Sequence, residues 1–327
     1  MKTYTLTLKQ KSGLLTELQS DIIYGHFCWR LLEYLGEPKL KEFISLYKKR
    51  KPIFTLSDGI LKVEDEFHFP RPFIFQAQKT AEKKEDKILN FIFNKANKEK
   101  NFITLNELNN FLTNGKVITD ENNSEGDETK KKKMPVNPIE ESLRVSVQID
   151  RILLSSSEGR LFSYNPKHLQ KNVSFVILIK VVEEDAFNSF NCQQILHDVF
   201  TLGYGKKKSS GYGQFEVLDF SEFTQLTESS EGNSFYVLGN FLPSTEDAII
   251  PIGYDINTKY GKFGEGLSQS ENPFKNPIAF LTAGSCFKVE SLKPYYGRIT
   301  NESEISTYHK EMVQFGMPFT LLFNYNG

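Results

Sequence analysis

Apolar and polar positions change period several times along this chain, and the changes mark its elements. Tyr4, Leu6 and Leu8 alternate with Thr5, Thr7 and Lys9, the spacing of a half-buried strand. A loop through Gly13 follows. Ile23, Phe27, Leu31 and Leu35 then recur every four residues, which predicts a helix capped by Ser20 or Asp21 and closed at Gly36, with Pro38 beyond. Gly25 inside that pattern costs helix stability, so close packing against its backbone is expected. The segment Phe67-His68-Phe69-Pro70-Arg71-Pro72-Phe73 reads as a strand whose prolines argue against a central place in a sheet. Arg144 to Asp150 alternates cleanly, Arg160 to Tyr164 follows a turn at Gly159, and Val173 to Val182 is a strongly apolar strand. Phe187, Phe190, Ile195 and Val199 predict a second helix over 185–200, and Gln214 to Leu218 a strand after it.

The resulting order is strand, helix, strand, strand, helix, strand, the split βαβ or ferredoxin-like arrangement. The fold class expected is therefore α+β, with a ferredoxin-like domain over 1–226 and a smaller β-rich domain over 227–327, where glycine and proline punctuate short strands. Composition shifts to Lys, Glu and Asn over about 76–142, which reads as an insertion in the first domain. Its stretch from Asp120 to Lys133 has almost no apolar residues and is expected to be disordered.

Between the second helix and its following strand lies Gly203-Tyr204-Gly205-Lys206-Lys207-Lys208-Ser209-Ser210-Gly211-Tyr212-Gly213. Glycines permit positive φ, consecutive turn amides can form an anion-binding nest, and lysines and serines add charge and donors. Neither common nucleotide loop is present, because Lys208 stands where a glycine is required in both. Tyr204 and Tyr212 beside the lysines offer aromatic faces with local positive charge, the combination that holds single-stranded RNA.

Composition sharpens this picture at three points. The chain has 327 residues, 40 basic and 41 acidic, so a polyanion site must be local. Its cysteines, Cys28, Cys192 and Cys286, are odd in number and far apart, which predicts no disulfide framework, no zinc site and a reducing, cytoplasmic setting. No run approaches a membrane span, and no cofactor motif is found. Asp21, Asp58 and Asp150 are isolated carboxylates, read as a cap, a turn residue and half of an ion pair. The five histidines share no metal spacing; His26, one turn before Arg30 on the first helix, is the natural candidate for proton transfer.

Four segments together resemble a known family. Ser20-Asp21-Ile22-Ile23-Tyr24-Gly25-His26-Phe27-Cys28-Trp29, Leu56-Ser57-Asp58 with Phe69-Pro70-Arg71-Pro72, Ile149-Asp150-Arg151 with Gly159-Arg160-Leu161-Phe162, and the glycine stretch are similar to the RAMP superfamily of CRISPR proteins. Within it the chain resembles the group that caps the 5′ end of the guide RNA, the fourth Csm subunit of type III-A effector complexes. The resemblance extends to the closing Phe315-Gly316-Met317-Pro318-Phe319. It departs after Arg151, where Ile152-Leu153-Leu154 stands in place of a Thr-Gly turn.

The resemblance implies tandem ferredoxin-like domains, the second of them degenerate, in a non-catalytic subunit that binds the repeat-derived 5′ tag of the CRISPR RNA. Its partners would be the large Palm-domain subunit and the repeated backbone RAMP subunit. By the same implication the RNA-binding residues are Gly203 to Gly213, the adjoining helix with Ser20, His26 and Arg30, and Arg151 on a thumb formed by its hairpin or by the insertion. Two other functions fit the same residues: a metal-independent endoribonuclease that processes CRISPR RNA, and a purely protein-binding assembly subunit.

Overall fold

The computed structural model describes residues 1–74, 101–116, 138–152, 154–229, 232–264, 267 and 269–325. The expected disorder of Asp120 to Lys133 lies outside the described residues.

The first half is built on β1 (Lys2–Gln10), α1 (Ser20–Lys48), β2 (Phe54–Leu56), β3 (Ile60–Val63), β4 (Glu66–Pro70), β5 (Phe102–Thr104) and α2 (Leu105–Asn114). It continues through β6 (Ile139–Glu141), β7 (Arg144–Asp150), β8 (Ser155–Tyr164), β9 (Lys167–Leu169), β10 (Val173–Val181), α3 (Glu184–Ser189), α4 (Cys192–Thr201) and β11 (Phe215–Glu222). A seven-stranded sheet runs β11-β1-β10-β3-β4-β5, with β2 also paired to β10. Its β11-β1-β10-β3 portion is antiparallel throughout, with Leu6 opposite both Ile177 and Phe220. This is the ferredoxin-like order, since β1, β3, β10 and β11 are the four strands that the expected pattern supplies.

The predicted stripe of α1 is correct at Ile23, Phe27 and Leu31, which are fully buried against this sheet. Gly36, at φ +80°, breaks the helix two residues before Pro38, and a second stretch then continues to Lys48. The second expected helix is likewise divided: Asn191, at φ +49°, separates α3 from α4.

The second half carries β12 (Ser234–Val237), β13 (Ile249–Gly253), β14 (Ile256–Lys259), β15 (Ile278–Leu281), β16 (Cys286–Val289), β17 (Arg298–Ile299), β18 (Phe315–Gly316) and β19 (Thr320–Phe323). Its four-stranded sheet is ordered β13-β16-β12-β19 and is antiparallel. Counting those strands one to four along the chain, the order is 2-3-1-4, which read from its other edge is 4-1-3-2, the same as in the first half. Where the first unit has α-helices, the described residues here offer the β14–β15 hairpin, loops and 3-10 turns such as Thr245–Asp247.

The halves share a core. Phe315 stacks on Tyr24 with centroids 4.5 Å apart, inside an aromatic cluster that includes Phe43, Tyr47 and Phe54. The hydroxyls of Tyr24 and Tyr47 both donate to the Phe54 carbonyl, at 2.6 and 2.7 Å, so these buried rings leave no phenol unpaired.

Three expectations need correction. The proline-flanked strand is interior, because β4 pairs with β3 on one side and β5 on the other; Pro70 is its last residue, where a missing N–H costs no ladder bond. Part of the 76–142 insertion is core: α2 has a Thr104/Glu107 capping box and a left-handed Gly115 cap, and its Phe111 packs on Phe323 at 4.6 Å. Gly25 is exposed, with nothing within 4 Å of a Cβ added there, so no close packing explains it.

Candidate nucleic-acid interface

The glycine stretch is a stiff connection rather than an open cradle. Gly203, Gly205, Gly211 and Gly213 all have positive φ, as does Lys207 at +57°. A Cβ on Gly213 would lie 1.9 Å from the Tyr204 carbonyl oxygen, and one on Gly205 would meet Thr16 at 2.6 Å, so both close approaches require glycine.

Most amides of the stretch are already used. The Tyr204 N–H donates to the Gly213 carbonyl at 2.8 Å and that of Gly213 to Gly13 at 2.9 Å. The Gly205 N–H donates to His26 Nε2 at 3.0 Å, and that of Lys206 to Thr16 Oγ1 at 2.9 Å. Ser210, Gly211 and Tyr212 donate to carbonyls of Lys207 and Lys208. The expected run of unpaired amides around an anion is therefore absent at these seven positions.

Tyr204 also departs from expectation. Its ring has no exposed surface, packing between Phe200 and His26, while its hydroxyl donates to the Glu17 carbonyl at 2.8 Å and accepts from the Gln19 N–H. Burial holds its phenol well above the usual range. No face is left for a base, because the ring closes the seam between the glycine stretch and the start of α1. Loop residues Thr16, Glu17 and Gln19 thus orient the stretch, and sequence spacing held no sign of them.

Ser20 and Asp21 do not cap α1 with their side chains; they join the two halves. Ser20 Oγ accepts from the Asn240 N–H at 3.0 Å, and the Ser20 N–H donates to Asp58 Oδ1 at 2.7 Å. The buried Asp21 carboxylate accepts from Lys259 Nζ and Asn240 Nδ2, each at 2.6 Å, and from Gln314 Nε2 at 2.7 Å. Burial pushes the Asp58 carboxyl up to about 7. Gly239 completes the junction, since a Cβ there would meet Ser20 Oγ at 2.6 Å. Arg30 lies further along α1, paired with Glu33 at 2.5 Å.

Tyr212 does meet the expected surroundings, through a hairpin. Among the described residues, strands β7 and β8 pair with each other alone, Arg144 opposite Tyr164 and Ser146 opposite Phe162. Asp150 Oδ1 accepts from the Ile152 N–H at the tip, a turn-type bond, and Arg151 is exposed there. Pleat alternation places Arg144, Ser146, Gln148, Arg160, Phe162 and Tyr164 on one face. That face turns to the glycine stretch. Lys207 Nζ sits 3.6 Å from the Tyr164 ring centroid and 4.7 Å from that of Phe162, and Tyr212 meets Tyr164 edge-on at 5.6 Å. Hydrogen bonds from Ser146 and Tyr212, with Lys207 nearby, lower the Tyr164 phenol from its ordinary value.

The opposite face presents Val145, Val147, Ile149 and Leu161, between 44% and 70% exposed. The hairpin therefore offers an aromatic, cationic surface on one side and an aliphatic one on the other. Alternation in the sequence contained this signal; the identity of the face meeting Lys207 did not follow from it.

No protein-family model matches the sequence, and no curated protein is similar to it. Solved structures share the fold. A chain of the Csm1-Csm4 cassette in complex with cA4 is 14% identical with a TM-score of 0.62, covering 100% of both chains. A chain of the Csm3-Csm4 subcomplex of the type III-A CRISPR-Cas interference complex is 18% identical with a TM-score of 0.62, covering 99% of this chain and 100% of that one. The cassette in complex with AMPPNP gives 14% identity and 0.59 over 100% of both chains. The expected resemblance is thus met at the level of fold: these three chains come from complexes that contain Csm4.

Proposed function

We propose that this chain is a non-catalytic RNA-binding subunit of a type III-A CRISPR effector complex. It holds the 5′ repeat-derived tag of the CRISPR RNA and joins the large Palm-domain subunit to the backbone RAMP subunits. The observation that carries this reading is the continuity of the hairpin face with the glycine stretch through Lys207, Tyr164, Phe162 and Tyr212. The exposed Phe162 ring and the half-buried Tyr164 and Tyr212 rings, beside ammonium and guanidinium groups, suit unstacked bases on a phosphate chain, with base stacking contributing about 1–3 kcal/mol each. The partners are argued from the solved Csm4 chains of the same fold, which are assembled with Csm1 or with Csm3.

In this reading Arg151 at the hairpin tip and Arg30 on α1 lie at the margins of the RNA path, and Lys206 and Lys208 supply side-chain charge. Ser20 acts structurally, at the junction of the halves. His26 orients the stretch: its Nε2 lone pair is taken by the Gly205 N–H, so it is not available to accept a proton from a ribose hydroxyl while that bond persists.

Reconstitution with end-labelled tagged guide RNA and the Csm1-like and Csm3-like partners tests the proposal. Ultraviolet crosslinking is expected to join the tag to peptides containing Phe162, Tyr164 or Tyr212. Phe162→Ala with Lys207→Ala should reduce tag retention by about tenfold or more, the combined effect of removing one base stack and one cation. Cleavage of precursor RNA by the chain alone, abolished in His26→Ala, would establish the nuclease instead. Complex assembly without any crosslink to the tag would leave only the assembly function.

A further inference from the structure

A cleft of about 320 Å³ opens between α3, α4 and strand β11. Its apolar wall comprises Leu6, Val217, Phe220 and Phe187, and Asn188 and Gln193 stand at its rim. β11 is an edge of the seven-stranded sheet, so one side of its backbone has no strand partner among the described residues. The Phe223 N–H donates inward to Thr3 at 2.8 Å, and Ser221 and Asp219 face Thr5 and Thr7 in register. Alternation then turns the backbone groups of Phe220 and Glu222 outward, beside the cleft. The register shift at Leu218 ends this template on one side, leaving Asp219 to Glu222 as its regular part.

The surrounding charge selects the occupant. Glu183, Glu184 and Asp185 are exposed on the helix side, and Asp219 and Glu222 on the strand, with Lys2 paired to Glu184 at 2.8 Å as the basic residue between them. This border repels a polyanion and suits a cationic chain. Glu222 stands opposite Tyr4 and Asp219 opposite Thr7, whereas the chain returning from the Lys206 to Lys208 segment joins β1 at its Gln10 end.

We propose that this cleft receives an extended, lysine- or arginine-rich segment of a protein partner. The segment adds a strand to β11, pairing with the outward groups of Phe220 and Glu222, and sets one apolar side chain between Phe187, Val217 and Phe220. Main-chain bonds supply affinity in such an arrangement, while the pocket and the acidic border supply selection. The assignment is independent of the RNA reading, because no residue is shared between the two surfaces.

The probe is the peptide acetyl-Lys-Val-Lys-Leu-Lys-Val-Lys-amide, titrated into the full chain by fluorescence anisotropy, with hydrogen-exchange mass spectrometry of the mixture. Binding with protection confined to 215–222 and 184–197 is expected, and none for the peptide in which glutamate replaces lysine. Asp219→Lys with Glu222→Lys should weaken binding by about tenfold or more, as removal of charge complementarity does. Glu222→Pro removes an outward N–H at an edge where proline is tolerated and should abolish protection. Exchange of the central leucine for glycine should weaken binding comparably. The proposal is overturned by absence of binding, by equal affinity in the charge-reversed and proline variants, by indifference to the leucine, or by protection at Gly203 to Gly213.

Discussion

Gly213 and Gly25 show how differently the same residue can be constrained. Gly213 has φ +66° and no room for a Cβ, whereas Gly25 is helical and open. Gly213→Ala is expected to destabilise the protein by about 2 kcal/mol or more, and Gly25→Ala to stabilise it by about 0.5–1 kcal/mol, both measured by urea unfolding. Asp58 supplies a second residue-scale prediction. Its folded carboxyl titrates at about 7, above the ordinary 3.8, so the folded state binds the extra proton between those values. Stability contributed by this group is complete below the unfolded value and is lost as pH rises through the folded one. Asp58→Asn should therefore remove a decline in melting temperature between pH 4 and 7 that the parent protein shows, with the two curves diverging most above pH 7.

At the scale of elements, packing decided against local composition twice. Helix α2 lies in a lysine- and asparagine-rich part of the chain, yet Leu108, Phe111 and Leu112 are fully buried with Tyr236, Leu321 and Phe323. Phe111→Ala should cost about 3–5 kcal/mol and lower the urea midpoint, against a negligible change if α2 were a surface appendage. The β7–β8 hairpin is the opposite case, a regular element with little burial. A two-stranded ribbon is marginal by itself, so Lys207 and Tyr212 bracing Tyr164 give it an anchor. Lys207→Ala should raise hydrogen exchange across 144–164 while leaving exchange in β1 and β10 unchanged.

For the whole molecule, near-equal numbers of acidic and basic residues conceal a separation of charge. Lys207 packs on the β7–β8 hairpin that carries Arg144 and Arg160, and the stretch rejoins β1 at its Gln10 end, whereas Glu222 and the start of α3 at Glu184 stand toward its Lys2 end. Tag binding should therefore weaken with salt. Replacing Lys206, Lys207 and Lys208 with alanine should lower the slope of log affinity against log salt by about 0.7 for each phosphate that these lysines neutralise. An unchanged slope would show that they meet no phosphate. Among the described residues no helix is long and apolar enough to cross a membrane.

Period and punctuation in the sequence determined the strands β1, β7, β8 and β10, the buried stripe of α1, its break at Gly36 and the ferredoxin-like order, because these depend on local spacing against one buried face. The glycine stretch was legible as a place needing positive φ for the same reason. Tertiary structure alone decided that Tyr204 is core, that His26 and Thr16 take the Gly205 and Lys206 amides, and that Ser20, Asp21 and Asp58 bind the two halves together. Those partners are far apart along the chain, and only the fold brings a donor to its acceptor. It also decided which face of the hairpin meets Lys207, a choice that alternation leaves open because each face is equally regular.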